Sequence, residues 1–285
     1  LNSSGIVQWT RTIGGGGSET AHSIAQTNDG GLVVAGDTWT YGAGIADFYV
    51  VKLDAGGNVL WTRTIGGTNV ELGPYTIIGT SDGGCAMVGR TYSFTVAGVT
   101  AYELYVVKLN AAGALQWTRI VGGDMSVFGK GSPRGIVQTS DGGYAVAGYA
   151  EAVGGDHDVY IFKLNSAGSL LWTRLVGDWG YDDGNSIVQA TDGGLVIAGA
   201  KQVGTGDTIY VVKLNSTGTL LWAQTLGSGV GYTIVNTSDG GYAVNVGDGI
   251  IKLNTSGIFQ WGRRISNVTP NWFGVGYTSL ITTSD

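Results

Sequence analysis

The sequence predicts an all-β protein, a β-propeller of four-stranded antiparallel blades, and three observations predict it. The first is an internal repeat. Trp9, Trp61, Trp117, Trp172, Trp222 and Trp261 share one local motif at spacings of 52, 56, 55, 50 and 39 residues. An Asp-Gly-Gly motif begins at Asp29, Asp82, Asp141, Asp192 and Asp239, and a Lys-Leu-Asn/Asp motif at Lys52, Lys108, Lys163, Lys213 and Lys252. The three recur in the same order every ~50 residues, too long a period for a solenoid or leucine-rich repeat. The second observation is that each repeat holds four short β-branched and aromatic runs at strand spacing. The third is that no stretch keeps a 3.6-residue apolar period for three turns, which leaves almost no helix.

The third repeat shows each element in order. Gly135–Thr139 is the first strand, and Ser140-Asp141-Gly142-Gly143 supplies the positive φ of a tight hairpin. Tyr144–Gly148 is the second strand, and a longer loop leads to the third, Asp158–Leu164. The turn Asn165–Gly168 then leads into Leu170–Val176, which Gly177 ends. By this pattern blades cover approximately 23–66, 75–122, 135–177, 186–227 and 233–266, with a partial blade from 1–13 and 274–285. Together they are expected to form one domain, 1–285. Inner and outer strands occur six times but the middle two only five times. Six blades are favoured, with a five-bladed ring carrying unpaired terminal strands as the alternative. The gap leads us to expect a piece of a longer protein, or a chain whose partial blade another copy completes, because exposed strand edges recruit further strands.

Composition narrows the function. Gly makes up 52 of 285 residues, more than twice the usual share of about 7%. Hydrophobic residues at 43% demand a packed core and exclude disorder. No apolar run approaches the about 18 residues of a membrane-spanning helix. The net charge is −6 without a Lys/Arg cluster, so nucleic acid is not an expected partner. A single Cys and two His give no disulfide and little for a metal site, and no metal or cofactor is expected.

The order of hairpin, "VAG", long loop, "YVVKLN" and Trp resembles a kelch blade. It is still more similar to the SIVQTSDGGY-VAGYT-DVYVVKLNSAGxLLWTRTIGG repeats of secreted and surface proteins of bacteria and archaea. The resemblance covers essentially the whole chain. It implies a propeller and an extracellular or cell-surface location, with the first strand innermost and the Trp strand outermost. Propellers host many activities, so it does not single out one.

In a four-stranded meander the first-to-second and third-to-fourth turns share one face, and here those turns are short and nearly constant. The other face carries loops that differ in length and content, where a site is expected. Its exposed rings include Trp39, Tyr41, Tyr92, Trp179, Tyr181 and Trp272, suited to stacking on sugars or anchoring a protein, unless they fold back over their own loops. The residues that open or precede the inner strands, His22, Tyr75, Arg134, Asn185, Tyr232 and Thr278, are expected to ring the channel mouth. The repeated Asp residues read as turn residues, the repeated Lys and Arg as ion pairs or stem packing, and the Trp as filling between blades.

Catalysis would show as departures from the repeat. Glu19, Glu71, Asp124, Glu151, Asp156, Asp182 and Asp183 depart from it, and a pair of them about 5–10 Å apart could act as a glycosidase acid and base. No nucleophile elbow, P-loop or dinucleotide fingerprint is present. The sequence therefore points to a non-catalytic propeller for adhesion, matrix or filament assembly, or recognition. Its expected partner is a protein, another copy or a glycan. The alternative is a polysaccharide-active enzyme (glycosidase or lyase) or lectin using the same face. Sequons stand at Asn2, Asn215, Asn254 and Asn267, expected to be exposed, and at Asn236, expected within an inner strand.

Overall fold

A computed structural model describes residues 4–94, 102–122, 131–151 and 155–264. All regular structure among them is β-strand, and the chain divides into two compact units, Leu1–Met125 and Ser126–Asp285. The first unit holds two sheets. One runs β1 (Glu19–Gln26), β2 (Leu32–Thr38), β3 (Asp47–Leu53), β4 (Val59–Ile65). The other runs β5 (Glu71–Gly79), β6 (Cys85–Thr91), β7 (Glu103–Leu109), β8 (Leu115–Val121). Each is an antiparallel meander with strands paired in chain order.

The second unit holds three such sheets. They are β9 (Gly131–Gln138) to β12 (Leu170–Val176) through β10 (Tyr144–Glu151) and β11 (His157–Leu164); β13 (Asp182–Gln189) to β16 (Leu220–Ser228) through β14 (Leu195–Val203) and β15 (Gly206–Leu214); and β17 (Thr233–Asn236) to β20 (Phe259–Arg264) through β18 (Tyr242–Asn245) and β19 (Gly249–Leu253). The five sheets correspond to the five complete repeats.

The middle strands of each sheet are nearly continuous apolar runs because both of their faces are covered. Val33, Ala35, Phe48 and Val50 pack on Ile77, Met87 and Tyr105 of the next sheet in the first unit. In the second unit Ile161 and Val159 meet Ile187 and Ile197, and Val211 meets Tyr242 and Val244. The core therefore lies between adjacent sheets. Outer strands add a staple. Trp61 lies against Gly113 of the next sheet's turn, its Nε1 donates to Ala111 O (3.1 Å), and Arg63 Nε donates to Gly113 O (2.8 Å). Trp172 and Arg174 repeat this on Gly218 in the second unit.

The repeated Asp and Lys also act as structure. Lys108, 2% exposed, reaches Asp82 at 2.8 Å, and Asp82 accepts the Gly84 N–H and the Thr80 hydroxyl. Equivalent pairs join Lys52 to Asp29, Lys163 to Asp141, Lys213 to Asp192 and Lys252 to Asp239. Each Lys crosses its sheet and pins the hairpin turn that its Asp shapes.

Two expectations on strands are corrected. The inner strands of the first four repeats begin at Glu19, Glu71, Gly131 and Asp182, each four residues before the expected starts at 23, 75, 135 and 186, because a bulge in each carries the pairing further. Residues 5–13, expected as an outermost strand, form no strand. The two middle strands that would pair with it have no counterpart in the sequence, although Trp9 and Arg11 still staple to Gly57. The expected strand in 274–285, the residues Asp124 and Trp272 and the sequons at Asn2 and Asn267 lie outside the described residues.

Candidate functional site

One irregularity recurs in the inner strands of both units. In the first sheet Ala21 pairs with Gly36 and Ser23 with Ala35, so His22 has no partner across the hairpin. In the third, Gly135 pairs with Ala147 and Pro133 with Gly148, which leaves Arg134 extra. In the fourth, Gly184 pairs with Gly199 and Ser186 with Ala198, which leaves Asn185 extra. Tyr75 lies in a wider bulge between Leu72 and Thr76. A bulge adds a residue to one strand and re-aims its side chain. Four of the six residues expected at the channel mouth are thus bulge residues within the inner strands, and Thr278 lies outside the described residues. Tyr232 directly precedes β17, and its N–H donates to Asn245 O (2.8 Å).

The bulge explains the glycine of the "VAG" motif. A Cβ on Gly36, Gly148 or Gly199 would collide with the carbonyl oxygen of Thr20, Ser132 or Asp183 on the bulged strand. The fifth sheet pairs without a bulge, and Val246 stands at the corresponding place.

In the second unit these residues converge. Arg134, Asn185 and Tyr232 line a cavity of about 400 Å³ together with Tyr181 and the pair His157 and Asp183. Asp207 also lines it, over a floor that includes Ala200 and Val230. Ring contacts fix the arrangement. The Arg134 guanidinium lies 5.4 Å over the Tyr149 ring, and His157 stacks on the same Tyr149 at 4.3 Å and 12°. Tyr181 meets His157 edge-on at 4.7 Å, and the His157 N–H donates to Gly180 O (3.1 Å). His157 Nδ1 lies 3.4 Å from Asp183 Oδ1, and Asn185 Nδ2 donates to Gly231 O (3.0 Å). Trp179, on the same loop as Tyr181, is 87% exposed.

In the first unit, His22 pairs with Asp37 and lies 6.4 Å from the Tyr75 ring, over which the Arg90 guanidinium sits at 5.7 Å. Tyr92 meets Tyr102 edge-on at 5.5 Å. Trp39 and Tyr41 are both exposed, and Tyr41 is also held by its own loop, with its ring 5.7 Å from Tyr49 and its hydroxyl donating to Gly14 O (3.2 Å). A cavity of about 300 Å³ between Trp9 and the face of Val34, Tyr49 and Val51 holds none of the expected binding residues.

Three carboxylates considered for catalysis hold loops instead. Glu19 accepts the N–H of Gly15 (2.8 Å), Glu71 that of Gly67 (3.0 Å) and Asp182 that of Asp178 (3.1 Å). Beside Glu71 lies Asp47, and a Cβ on Gly66 would strike both carboxyl groups. Asp158 and Asp182 meet the same way over Gly177. Burial first, and then the neighbouring acid, push the carboxyls of Asp47 and Asp158 above their ordinary value. Burial also raises Asp182, against the pull of Lys201.

His157 and Asp207 were not among the expected binding residues. They occupy the same repeat position, at the start of the third strand, where the first two repeats carry Ala46 and Tyr102. Variation at that position is the signal that would have found them. Among the described residues no group of three or more His, Cys, Asp and Glu comes together to hold a metal ion.

Residues 27–59 match the model of a family described as a β-propeller domain of unknown function (DUF5122). No curated protein matches the chain. A protein of unknown function from Dyadobacter fermentans is similar in structure, with a TM-score of 0.58 at 14% identity over 86% of this chain and 82% of that one. The α-L-arabinanase of Penicillium chrysogenum, solved with arabinobiose, has a TM-score of 0.56 at 10% identity over 85% and 80%. A protein of unknown function from Bacteroides caccae has a TM-score of 0.53 at 12% identity over 90% and 85%. These likenesses show the fold, a β-propeller.

Proposed function

We propose that the chain is a non-catalytic recognition propeller of the extracellular or cell-surface kind, which engages its partner through the variable-loop face. Adhesion, matrix or filament assembly and surface recognition are the roles this covers. One observation carries the reading: bulges in successive inner strands aim Arg134 and Asn185 into a cavity that Tyr181 and Tyr232 also line. Rigid elements that present a few convergent polar and aromatic groups over an open cavity form a binding site in the usual sense. The scaffold behind it is near-identical from blade to blade, and three of the seven acids that break the repeat, Glu19, Glu71 and Asp182, are committed to holding loops. The extracellular location rests on the resemblance to secreted repeats.

A second reading, polysaccharide cleavage on the same face, is favoured by Asp183 and Asp207 lining one cavity. One experiment separates the two. The immobilised full-length chain is exposed to cell-surface extract and a polysaccharide panel, and both retention and released reducing ends are measured. Retention without released ends, reduced in Arg134→Ala and unchanged in the constant-face variant Asp54→Ala, is the expected result. Sustained release of reducing ends overturns the non-catalytic reading, and retention indifferent to Arg134 overturns the choice of face.

A further inference from the structure

We propose that the cavity of the second unit binds an uncharged saccharide, a polyhydroxylated ring without a carboxylate, sulfate or phosphate group. This deepens the recognition reading and rests on it.

The hydrogen-bonding inventory comes first. A sugar hydroxyl both donates and accepts, and vicinal hydroxyls present both capacities side by side. The cavity offers Arg134 as donor, the carboxylates of Asp183 and Asp207 as acceptors, and Tyr232 and Tyr181 hydroxyls that do either. Asn185 gives one of its two amide N–H groups to Gly231 O, which leaves the other as a donor and its Oδ1 as an acceptor. His157 turns Nδ1 toward Asp183, which leaves Nε2 as its second hydrogen-bonding atom.

Charge then selects within the saccharides. One guanidinium faces two carboxylates, so before His157 is counted the lining carries a formal charge of −1. An anionic sugar would have to enter against that charge, and like-charge placement disfavours binding. Apolar surface completes the match. The ring of Tyr181, half exposed at the rim, and the side chains of Ala200 and Val230 offer flat and apolar contact for the C–H faces of a pyranose or furanose. The site is also held in place before any ligand arrives. Arg134 is fixed by its bulge and by Tyr149, and His157 lies between Tyr149 and Tyr181, so little ordering remains to oppose binding.

Calorimetric titration of the full-length chain tests this, with neutral gluco-, manno-, xylo- and arabino-oligosaccharides against oligogalacturonides. At least one neutral series is expected to bind about tenfold or more tightly than the acidic one. Tyr232→Ala is expected to weaken that binding by about tenfold or more, whereas Asp207→Asn, at an exposed position that leaves folding untouched, narrows the gap between neutral and acidic ligands. Tighter binding of oligogalacturonides, no binding by any series, or neutral binding indifferent to both substitutions overturns the proposal. If it falls while retention of surface components still depends on Arg134, the recognition reading stands. If that dependence is also absent, both fall.

Discussion

Arg134 bulges out of β9 beside Gly148: Gly135 pairs with Ala147 and Pro133 with Gly148, and the residue between them turns out of the ladder toward the cavity. The glycine is the condition for the bulge, because a side chain there would meet Ser132 O. Gly148→Ala and Gly199→Ala are therefore expected to destabilise the chain by about 1–3 kcal/mol in denaturant unfolding, as overpacking does. Gly206→Ala, where a Cβ meets nothing, is expected to stay within about 0.5 kcal/mol of wild type. Equal effects at Gly148 and Gly206 would show that the bulge does not need its glycine.

The buried acids predict an unusual pH profile. Asp47, Glu103, Asp158 and Asp182 are raised because burial disfavours their charged form. The folded chain therefore holds their protons more tightly than the unfolded chain, and their contribution is lost as pH rises through the raised values. The turn acids act in the opposite sense. Lys52 and Lys213 hold Asp29 and Asp192 below the ordinary value, so that stabilisation is lost as pH falls below about 4. Calorimetric Tm measured from pH 2 to 8 is expected to peak at about 4–5 and to decline toward neutrality. Asp47→Asn, which removes one acid of the pair over Gly66, is expected to flatten the decline. A Tm that climbs steadily from pH 4 to 8 contradicts this account.

On the constant face, removing Asp82 is expected to cost more than removing its partner. Asp82→Ala leaves the Lys108 ammonium buried beside Leu109 O, whereas Lys108→Met replaces the stem with one of similar shape. The expected loss for Asp82→Ala is about 1–3 kcal/mol, below the range for a fully buried pair because Asp82 is half exposed. Urea unfolding of the two variants and their double mutant decides the order.

The sequons divide by geometry. Asn215 and Asn254 sit in third-to-fourth-strand turns, where Oδ1 accepts backbone N–H groups and Nδ2 takes no part in those bonds. Asn236 lies in β17, and its Nδ2 donates to Gln189 O (2.8 Å). In a host that glycosylates secreted proteins, glycopeptide analysis is expected to find sugar at Asn215 or Asn254 and none at Asn236. Sugar at Asn236 alone would contradict the placement of that strand.

The blade pattern was legible because each strand and turn writes its own local signal. Asp141 and the glycines after it mark a hairpin, and Asp158–Leu164 is a near-continuous β-branched and aromatic run, as a strand covered on both faces is. The bulges were not legible. Pro133 and the Gly73-Pro74 pair read as loop, since an extra residue breaks the two-residue alternation that announces a strand. The glycine of "VAG" was visible as a motif, but its reason appears only in the register, opposite Arg134 or Asn185. The His157–Asp183 pair was invisible for another cause: it joins residues of two successive sheets that no local pattern links.

The central claim is that the bulged inner strands present the binding surface, and ligand-dependent hydrogen exchange of the full-length chain tests it most directly. With a bound partner, whether saccharide or surface component, peptides covering Gly131–Gln138, Asp182–Gln189 and 229–233 are expected to gain protection, while the turns at 139–143 and 190–194 stay unchanged. Protection confined to those turns, or to the outer strands around Trp172 and Trp222, would contradict it.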